Sequence, residues 1–380
     1  MPPERLPKSA ALILRAEVKR KREADKMDRL IDENSVKEIK NKFDAELKES
    51  VDVVIYSGKD GVSESEQEKQ LVTFAKRFLK ELSEIDGRIL VEEKSADSDE
   101  AKKIGIITSP SISLGLKKGY KIIFNGAPLG HEATSLIEII IMLSGGKTGL
   151  SDEDKALLTS ADKEAKIQVF ITPTCPYCPR SVILAAKIAV ETKGKITAEC
   201  VESMENQQLS EKFNVGSVPQ QVINSDPASI TVGAQNDRAL IMQVLKYSAP
   251  EKAAALEAEA MKIKAQKEKL TDSPKETIYV TDSNFKQALA KYPALVVDCW
   301  AEWCMPCKML SPEIDQLAQE EAGKIVFAKL NVDENRETAE THGIMSIPTI
   351  MVFKNGIKTG DIVGLQPKPM LLSRIQELLK

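Results

Sequence analysis

The sequence predicts an α/β protein built from three tandem copies of one unit, the first copy lacking the thiols of the other two. Three observations predict this. Cys-x-x-Cys occurs twice, as Cys175-Pro176-Tyr177-Cys178 and Cys304-Met305-Pro306-Cys307, each after an apolar, β-branched run (167–172 and 295–300). Each first cysteine is followed 44 residues later by an X-Pro proline, at Val218-Pro219 and Ile347-Pro348. The stretch from 51 to 143 shows the same order of elements, with Ser57-Gly58-Lys59-Asp60-Gly61 in place of the dithiol. A repeated spacing of this kind marks a duplicated redox fold and not scattered cysteines.

The bulk properties limit the alternatives. A length of 380 residues favours two to four units. With 42% apolar but only 4% aromatic residues, the cores must be packed with Leu, Ile, Val and Ala. A net charge of −4 provides no broad basic field, so nucleic acid is not an expected partner. The first 26 residues do not read as a secretory signal, since the short apolar stretch 10–14 leads into Lys19-Arg20-Lys21-Arg22. No run approaches the ~20 apolar residues of a membrane span. Six cysteines are too few for a disulfide-stapled secreted scaffold. A cytoplasmic chain without membrane contact is expected.

In chain order, residues 1–45 read as a helical arm with interleaved charges. The thiol-free unit, 46–148, opens with a strand at 51–56. A capping box at Ser65-x-x-Glu68 then starts a helix carrying Leu71, Phe74, Ala75, Phe78 and Leu82 at helical spacing. Strands are expected at 88–92, 111–116 and 120–124, with Ser109-Pro110 before the second and an apolar helix at 131–143 after the third. The second unit covers 149–248. The Ala/Glu/Lys-rich stretch 250–269, within a linker of 249–275, favours a helical spacer ended by Asp272-Ser273-Pro274. The third unit covers 276–380.

The third unit resembles thioredoxin over its whole length. The resemblance is carried by Val297-Asp298-Cys299-Trp300-Ala301-Glu302-Trp303-Cys304, Lys329-Leu330-Asn331-Val332-Asp333, Ile347-Pro348-Thr349 and Val363-Gly364. Units one and two together resemble tandem protein disulfide oxidoreductases of archaeal type, through residues 170–179 and Gly126-Ala127-Pro128-Leu129-Gly130-His131-Glu132. They are also similar to the N-terminal domain of the alkyl hydroperoxide reductase flavoprotein, which has a thiol-free first fold. The resemblance implies three tandem thioredoxin folds, each a central mixed β-sheet flanked by helices. Two departures stand out: the first fold lacks a dithiol, and Met305 replaces the usual glycine between the cysteines.

Disulfide exchange requires one accessible thiolate and a second thiol close enough to resolve the mixed disulfide. A cysteine at a helix N-terminus meets unpaired backbone N–H groups that favour its thiolate. Cys175 and Cys304 are therefore the expected nucleophiles, with Cys178 and Cys307 resolving. A structural disulfide pair is one alternative. A zinc site is another, but 125 residues separate Cys178 from Cys304, against the ~15–20 of zinc ribbons. Cys200 and Cys299 read as small buried hydrophobes. His131 and His342 are too isolated for a metal site.

Asp298 lies in an otherwise apolar strand, where an acid is costly unless paired or functional. The thioredoxin resemblance makes it the acceptor of the resolving cysteine's proton, with Lys329 at the position of the family's neighbouring lysine. The second unit has Val169 at the equivalent place. There the flavoprotein resemblance points to Glu132, although a glutamate in a first helical turn also satisfies the helix dipole. Pro219 and Pro348 are expected cis, with Val218 and Ile347 offering main-chain contacts to an extended client strand. Pro110 is the matching position in the thiol-free unit. Trp303 and Gly364 complete the expected client-binding surface.

The implied activity is reduction of protein disulfides, with a relay between the two dithiols. Electrons would come from an external thioredoxin-reductase-like flavoprotein, and clients such as peroxiredoxins would receive them. No dinucleotide fingerprint occurs, so no flavin or nicotinamide cofactor is expected on this chain. A thiol isomerase or oxidase, or a client-binding chaperone module, are the other readings.

Overall fold

The computed structural model describes residues 29–58, 65–106 and 108–380. The expected arm up to residue 28, and residues 59–61 of the loop replacing the first dithiol, lie outside the described residues. The chain divides into two compact bodies, Met1–Ala254 and Ala255–Lys380.

In the first body, α1 (Glu33–Glu46) is capped by Asp32, whose carboxylate accepts from the Asn34 and Ser35 N–H groups. Then follow β1 (Val51–Ser57), α2 (Glu66–Ile85), β2 (Ile89–Ser95), α3 (Asp99–Ile104), β3 (Ser111–Leu114), β4 (Ile122–Asn125) and α4 (His131–Gly145). The Ser65/Glu68 capping box opens α2 with both reciprocal bonds formed. The second repeat contributes α5 (Asp152–Leu158), β5 (Ala165–Ile171), α6 (Cys178–Glu191), β6 (Ile196–Glu202), α7 (Gln207–Lys212), β7 (Gln220–Ile223), β8 (Thr231–Val232) and α8 (Asp237–Ser248).

These strands form one eight-stranded sheet in the order β2-β1-β3-β4-β6-β5-β7-β8. Each half has the same pattern: a central strand paired parallel on one side and antiparallel on the other, then an antiparallel edge strand. The halves are joined by parallel pairing of β4 with β6, from Ile122↔Ala198 to Asn125↔Val201. All four residues of β4 are buried. An apolar strand at a sheet edge must find a partner, and β6 supplies it.

Helix α9 (Pro250–Lys267) spans the boundary between the bodies and ends before the expected breakers. The second body holds β9 (Ile278–Tyr279), α10 (Phe285–Lys291), β10 (Ala294–Trp300), α11 (Met305–Glu320), β11 (Val326–Asn331), α12 (Arg336–Thr341), β12 (Thr349–Lys354), β13 (Ile357–Val363) and α13 (Lys368–Leu378). Its sheet order is β13-β12-β10-β11-β9. Two cores cover the two faces. Leu295, Val297 and Cys299 pack with Phe285 and Phe353, while Val296 packs with Leu310, Ile314 and Phe327. Strand alternation therefore turns Asp298 and Lys329 to the face covered by α11. Among the described residues, no helix is long and apolar enough to cross a membrane.

Candidate active sites

Both Cys-x-x-Cys pairs sit where a central strand runs into a helix, after β5 and after β10. Each pair is closed as a disulfide, with Cα atoms 5.5 Å apart at Cys175–Cys178 and 5.2 Å apart at Cys304–Cys307. The first sulfur of each accepts from the backbone N–H of the second cysteine, at 3.1 Å for Cys178 and 3.2 Å for Cys307. Once reduced, that sulfur lies at the positive end of a helix, where a thiolate is stabilised. The first cysteine is the more open member of each pair: 7% against 0% in the second repeat, 3% against 1% in the third.

A proline loop accompanies each dithiol. Val218-Pro219 and Ile347-Pro348 are cis, as is Ser109-Pro110 of the thiol-free repeat. One hydrogen bond recurs three times: a glycine with positive φ donates its N–H to the cis-proline carbonyl. The pairs are Gly126 to Pro110 at 3.0 Å, Gly233 to Pro219 at 2.8 Å and Gly364 to Pro348 at 2.8 Å. Gly364 thus buttresses the loop that carries Ile347. Val218 and Ile347 are half-buried against the cores that contain their dithiols.

Exposed apolar side chains flank both dithiols, alongside the exposed Arg180 in the second repeat and Glu302 and Lys308 in the third. Trp303 is 70% exposed and fixed by its indole N–H to Asp333 at 2.9 Å. Met305 and Met345 are also exposed, at 66% and 95%, as is Tyr177 in the second repeat. Cys200 and Cys299 are free and buried, and burial pushes both thiols up. His342 packs between Phe285 and Phe353. Among the described residues, no cluster of His, Cys, Asp and Glu could hold a metal ion.

Asp298 is fully buried, and neither carboxyl oxygen has a partner. Burial raises its pKa to about 7; Lys329 opposes this and Asp315 adds to it. Lys329 is in register beside Asp298 on the parallel strand β11. Its ammonium, however, bonds Ser311 Oγ at 2.7 Å and Asp315 Oδ1 at 2.6 Å on α11.

In the second repeat the corresponding register pair is Val169↔Cys200. A buried acid comes instead from the thiol-free repeat. Glu132 lies in the first turn of α4, which packs against α6, the helix opening at Cys178. The loop before α4 is tied to the dithiol loop by the His131 N–H, which donates to the Pro173 carbonyl at 3.1 Å. Both oxygens of Glu132 are buried without a partner. Burial, then the charges of Glu202 and Glu205, push its pKa up to about 7. Glu205 is raised to about 7 by burial, and Glu202 is raised as well. Glu205 accepts from the Ala127 N–H at 2.9 Å.

Glu202, Glu205, Ser311 and Asp315 were not expected from the sequence. For the last two a signal exists: Cys307, Ser311 and Asp315 are spaced by four along one helix. Glu202 ends β6 and Glu205 follows it, with no spacing that marks either.

Comparison with known proteins agrees with this geometry. Residues 276–377 match the thioredoxin family model, and residues 165–246 match a second model described as a thioredoxin domain. The thioredoxin of Alicyclobacillus acidocaldarius is 44% identical over 104 residues, which cover 27% of this chain and 99% of that protein. Among solved structures, a protein disulfide oxidoreductase from Aeropyrum pernix aligns with 57% of this chain and 94% of its own, at 27% identity and a TM-score of 0.49. An alkylhydroperoxide reductase of Enterococcus faecalis aligns with 56% of this chain and 98% of its own, at 25% identity and a TM-score of 0.47. With thioredoxin matched almost end to end by its third repeat and a second dithiol in a repeat of the same pattern, the chain belongs to the thioredoxin family and is a tandem dithiol–disulfide oxidoreductase.

Proposed function

We propose that this chain reduces disulfide bonds in client proteins. In each active repeat the first cysteine, Cys175 or Cys304, attacks the client disulfide and releases one client thiolate. The second, Cys178 or Cys307, then attacks the mixed disulfide and releases the other. Two electrons leave the dithiol, which closes to a disulfide, and the client gains two thiols. The observation that carries this reading is the same in both repeats: the more open sulfur is the one held at the helix N-terminus by its partner's N–H. Asp298 and Glu132 take the proton of the resolving thiol in the third and second repeats.

The exposed Trp303, Met305 and Met345 offer client contact without demanding a sequence. The main chain at Val218 and Ile347 pairs with an extended client segment. A cytoplasmic setting suits a reductase that keeps free thiols at Cys200 and Cys299. The two dithiols are the redox groups, recharged by an external thioredoxin-reductase-like flavoprotein. Clients include peroxiredoxins, in keeping with the resemblance of residues 126–132 and 170–179 to a peroxide-reductase flavoprotein domain.

Electrons also pass between the two dithiols. With a thioredoxin-like third repeat near −270 mV and a glutaredoxin-like Cys-Pro-Tyr-Cys near −215 mV, flow from the third to the second is favoured by about 2–3 kcal/mol.

Insulin reduction with a thioredoxin reductase tests the activity, using the wild type and variants carrying Cys→Ser at one pair or the other. Each single-pair variant retains turnover and the quadruple variant loses it; turnover by the quadruple variant overturns the proposal. Mixing reduced Cys175→Ser with oxidised Cys304→Ser tests the relay. Transfer no faster than to an unrelated disulfide removes it.

A further inference from the structure

Helix α11 carries more than the third repeat's dithiol. Cys307, Ser311 and Asp315 recur every four residues, so they form one ridge of the helix. Strand alternation directs Asp298 and Lys329 toward the face this helix covers. A lysine beside a buried aspartate would ordinarily pair with it, since an unpaired buried charge is costly. Here the lysine does otherwise. Its ammonium bonds Ser311 Oγ at 2.7 Å and Asp315 Oδ1 at 2.6 Å, while both oxygens of Asp298 remain without a partner. Asp315 is fixed from the other side by Thr277, whose hydroxyl donates to the same oxygen at 2.7 Å. Asp315 is also half exposed, so its own charge needs no burial.

We propose that Ser311 and Asp315 are positioning residues for the third repeat: they draw the Lys329 ammonium away from Asp298 and leave that carboxylate open to accept the Cys307 proton. This deepens the reading of Asp298 as the proton acceptor and rests on it. The step balances as follows. The Cys307 thiol gives its proton to Asp298, and the resulting thiolate attacks Cys304 in the mixed disulfide. The Cys304–Cys307 bond forms, and the client sulfur leaves with the electron pair of the broken bond. A carboxylate locked in an ion pair with Lys329 would be a poorer proton acceptor, because its charge would already be satisfied.

The groups around Asp298 come from several elements. Lys329 stands on β11 and Asp315 on α11. Tyr279 on β9 senses Asp315, Glu302 and Asp298 together. Cys299, next along β10, senses Asp298 and, from β13, Lys358 and Asp361. The antiparallel neighbour on β12 is Ile350, which brings no charge. Burial acts first on Asp298; among these groups Lys329 opposes it and Asp315 adds to it.

The test isolates the resolving step. In full-length protein with Cys175→Ser and Cys178→Ser, reduced enzyme is mixed with 5,5′-dithiobis(2-nitrobenzoate). Attack by Cys304 releases a first thionitrobenzoate, and resolution by Cys307 releases the second. The second release is followed against pH. Asp315→Asn moves its acidic midpoint down by about one pH unit, because Lys329 is freed to turn to Asp298 and a like charge is lost. Lys329→Met moves it up. Ser311→Ala moves it down by less than Asp315→Asn, and Asp315→Glu restores the wild-type midpoint. An unchanged midpoint in Asp315→Asn overturns the proposal, provided that Asp298→Asn abolishes the wild-type profile. If Asp298→Asn instead leaves the profile intact, the role of Asp298 itself is wrong, and the positioning role falls with it.

Discussion

The second and third repeats place the same kind of dithiol on the same strand–helix junction, yet the buried acid proposed to serve it comes from different places. In the third, Asp298 and Lys329 stand side by side on β10 and β11. In the second, the same two positions are Val169 and Cys200, both buried and neither charged at neutral pH. The acid proposed for that repeat is Glu132, which belongs to the repeat without thiols. On the proposed reading, a repeat without a dithiol supplies part of its neighbour's chemistry. What the two proposed acids share is burial, which holds each pKa near neutrality. The residue and the element that carry it differ: a strand aspartate in the third repeat, a glutamate in a first helical turn in the second.

The largest effect that sharpens this comparison is on stability. Asp298 has a folded pKa of about 7 against an ordinary 3.8. Between these values the unfolded chain releases this proton while the native state keeps it. The native state therefore loses stability as pH rises from about 4 to 7, by an amount on the order of 4 kcal/mol. Asp298→Asn removes that slope. Both tryptophans of the chain, Trp300 and Trp303, lie in the third repeat, so tryptophan fluorescence during denaturant unfolding reads this region alone. A wild-type minus variant difference that does not change between pH 4 and pH 7 would contradict the burial argument.

Next in size is a crossover in rate. Glu132→Gln slows exchange at Cys175/Cys178 by about a hundredfold and leaves Cys304/Cys307 untouched, while Asp298→Asn does the reverse. Single-turnover reduction of a small disulfide, measured in each single-pair background, distinguishes the two. Equal slowing at both dithiols by either substitution would break the assignment of one acid to each.

The smallest effect concerns how Glu132 is held. Gly130 has φ +57°, and a Cβ there would lie 2.3 Å from the Pro173 carbonyl oxygen. Gly130→Ala must therefore push the loop before α4 away from the loop before Cys175, at a cost of about 2 kcal/mol. Thermal unfolding of the first body should fall, and exchange at Cys175 should slow with it. Wild-type values for both would show that the contact positions nothing.

Much of this was legible in the sequence, because local rules govern it. The capping box at Ser65 and the helix starting at His131 follow from hydrogen-bond chemistry and periodicity. The expected strand 111–116 stops at Leu114, because Gly115 takes φ +70° and turns the chain. The placement of both dithiols after a central strand follows from apolar runs that lead into Cys-x-x-Cys. The pairing of β4 with β6 was not legible, since either edge of a buried mixed sheet carries the same apolar pattern. Nor was the acidic group at Glu202 and Glu205, which meets Glu132 only through that pairing of distant segments. The turn of Lys329 toward Ser311 and Asp315 depends on which of two acids a flexible ammonium reaches, a choice that packing makes.

The ladder that runs unbroken from β2 to β8 has a bearing on how freely these pieces could be recombined. A third repeat cut out at its linker keeps its whole sheet and its own buried aspartate, so it is portable. A second repeat cut out alone would present the naked flank of β6 to other chains, an invitation to clumping, and would leave its proposed acid, Glu132, behind. Only the third repeat is a module in the engineering sense; the first two stand or fall as a pair.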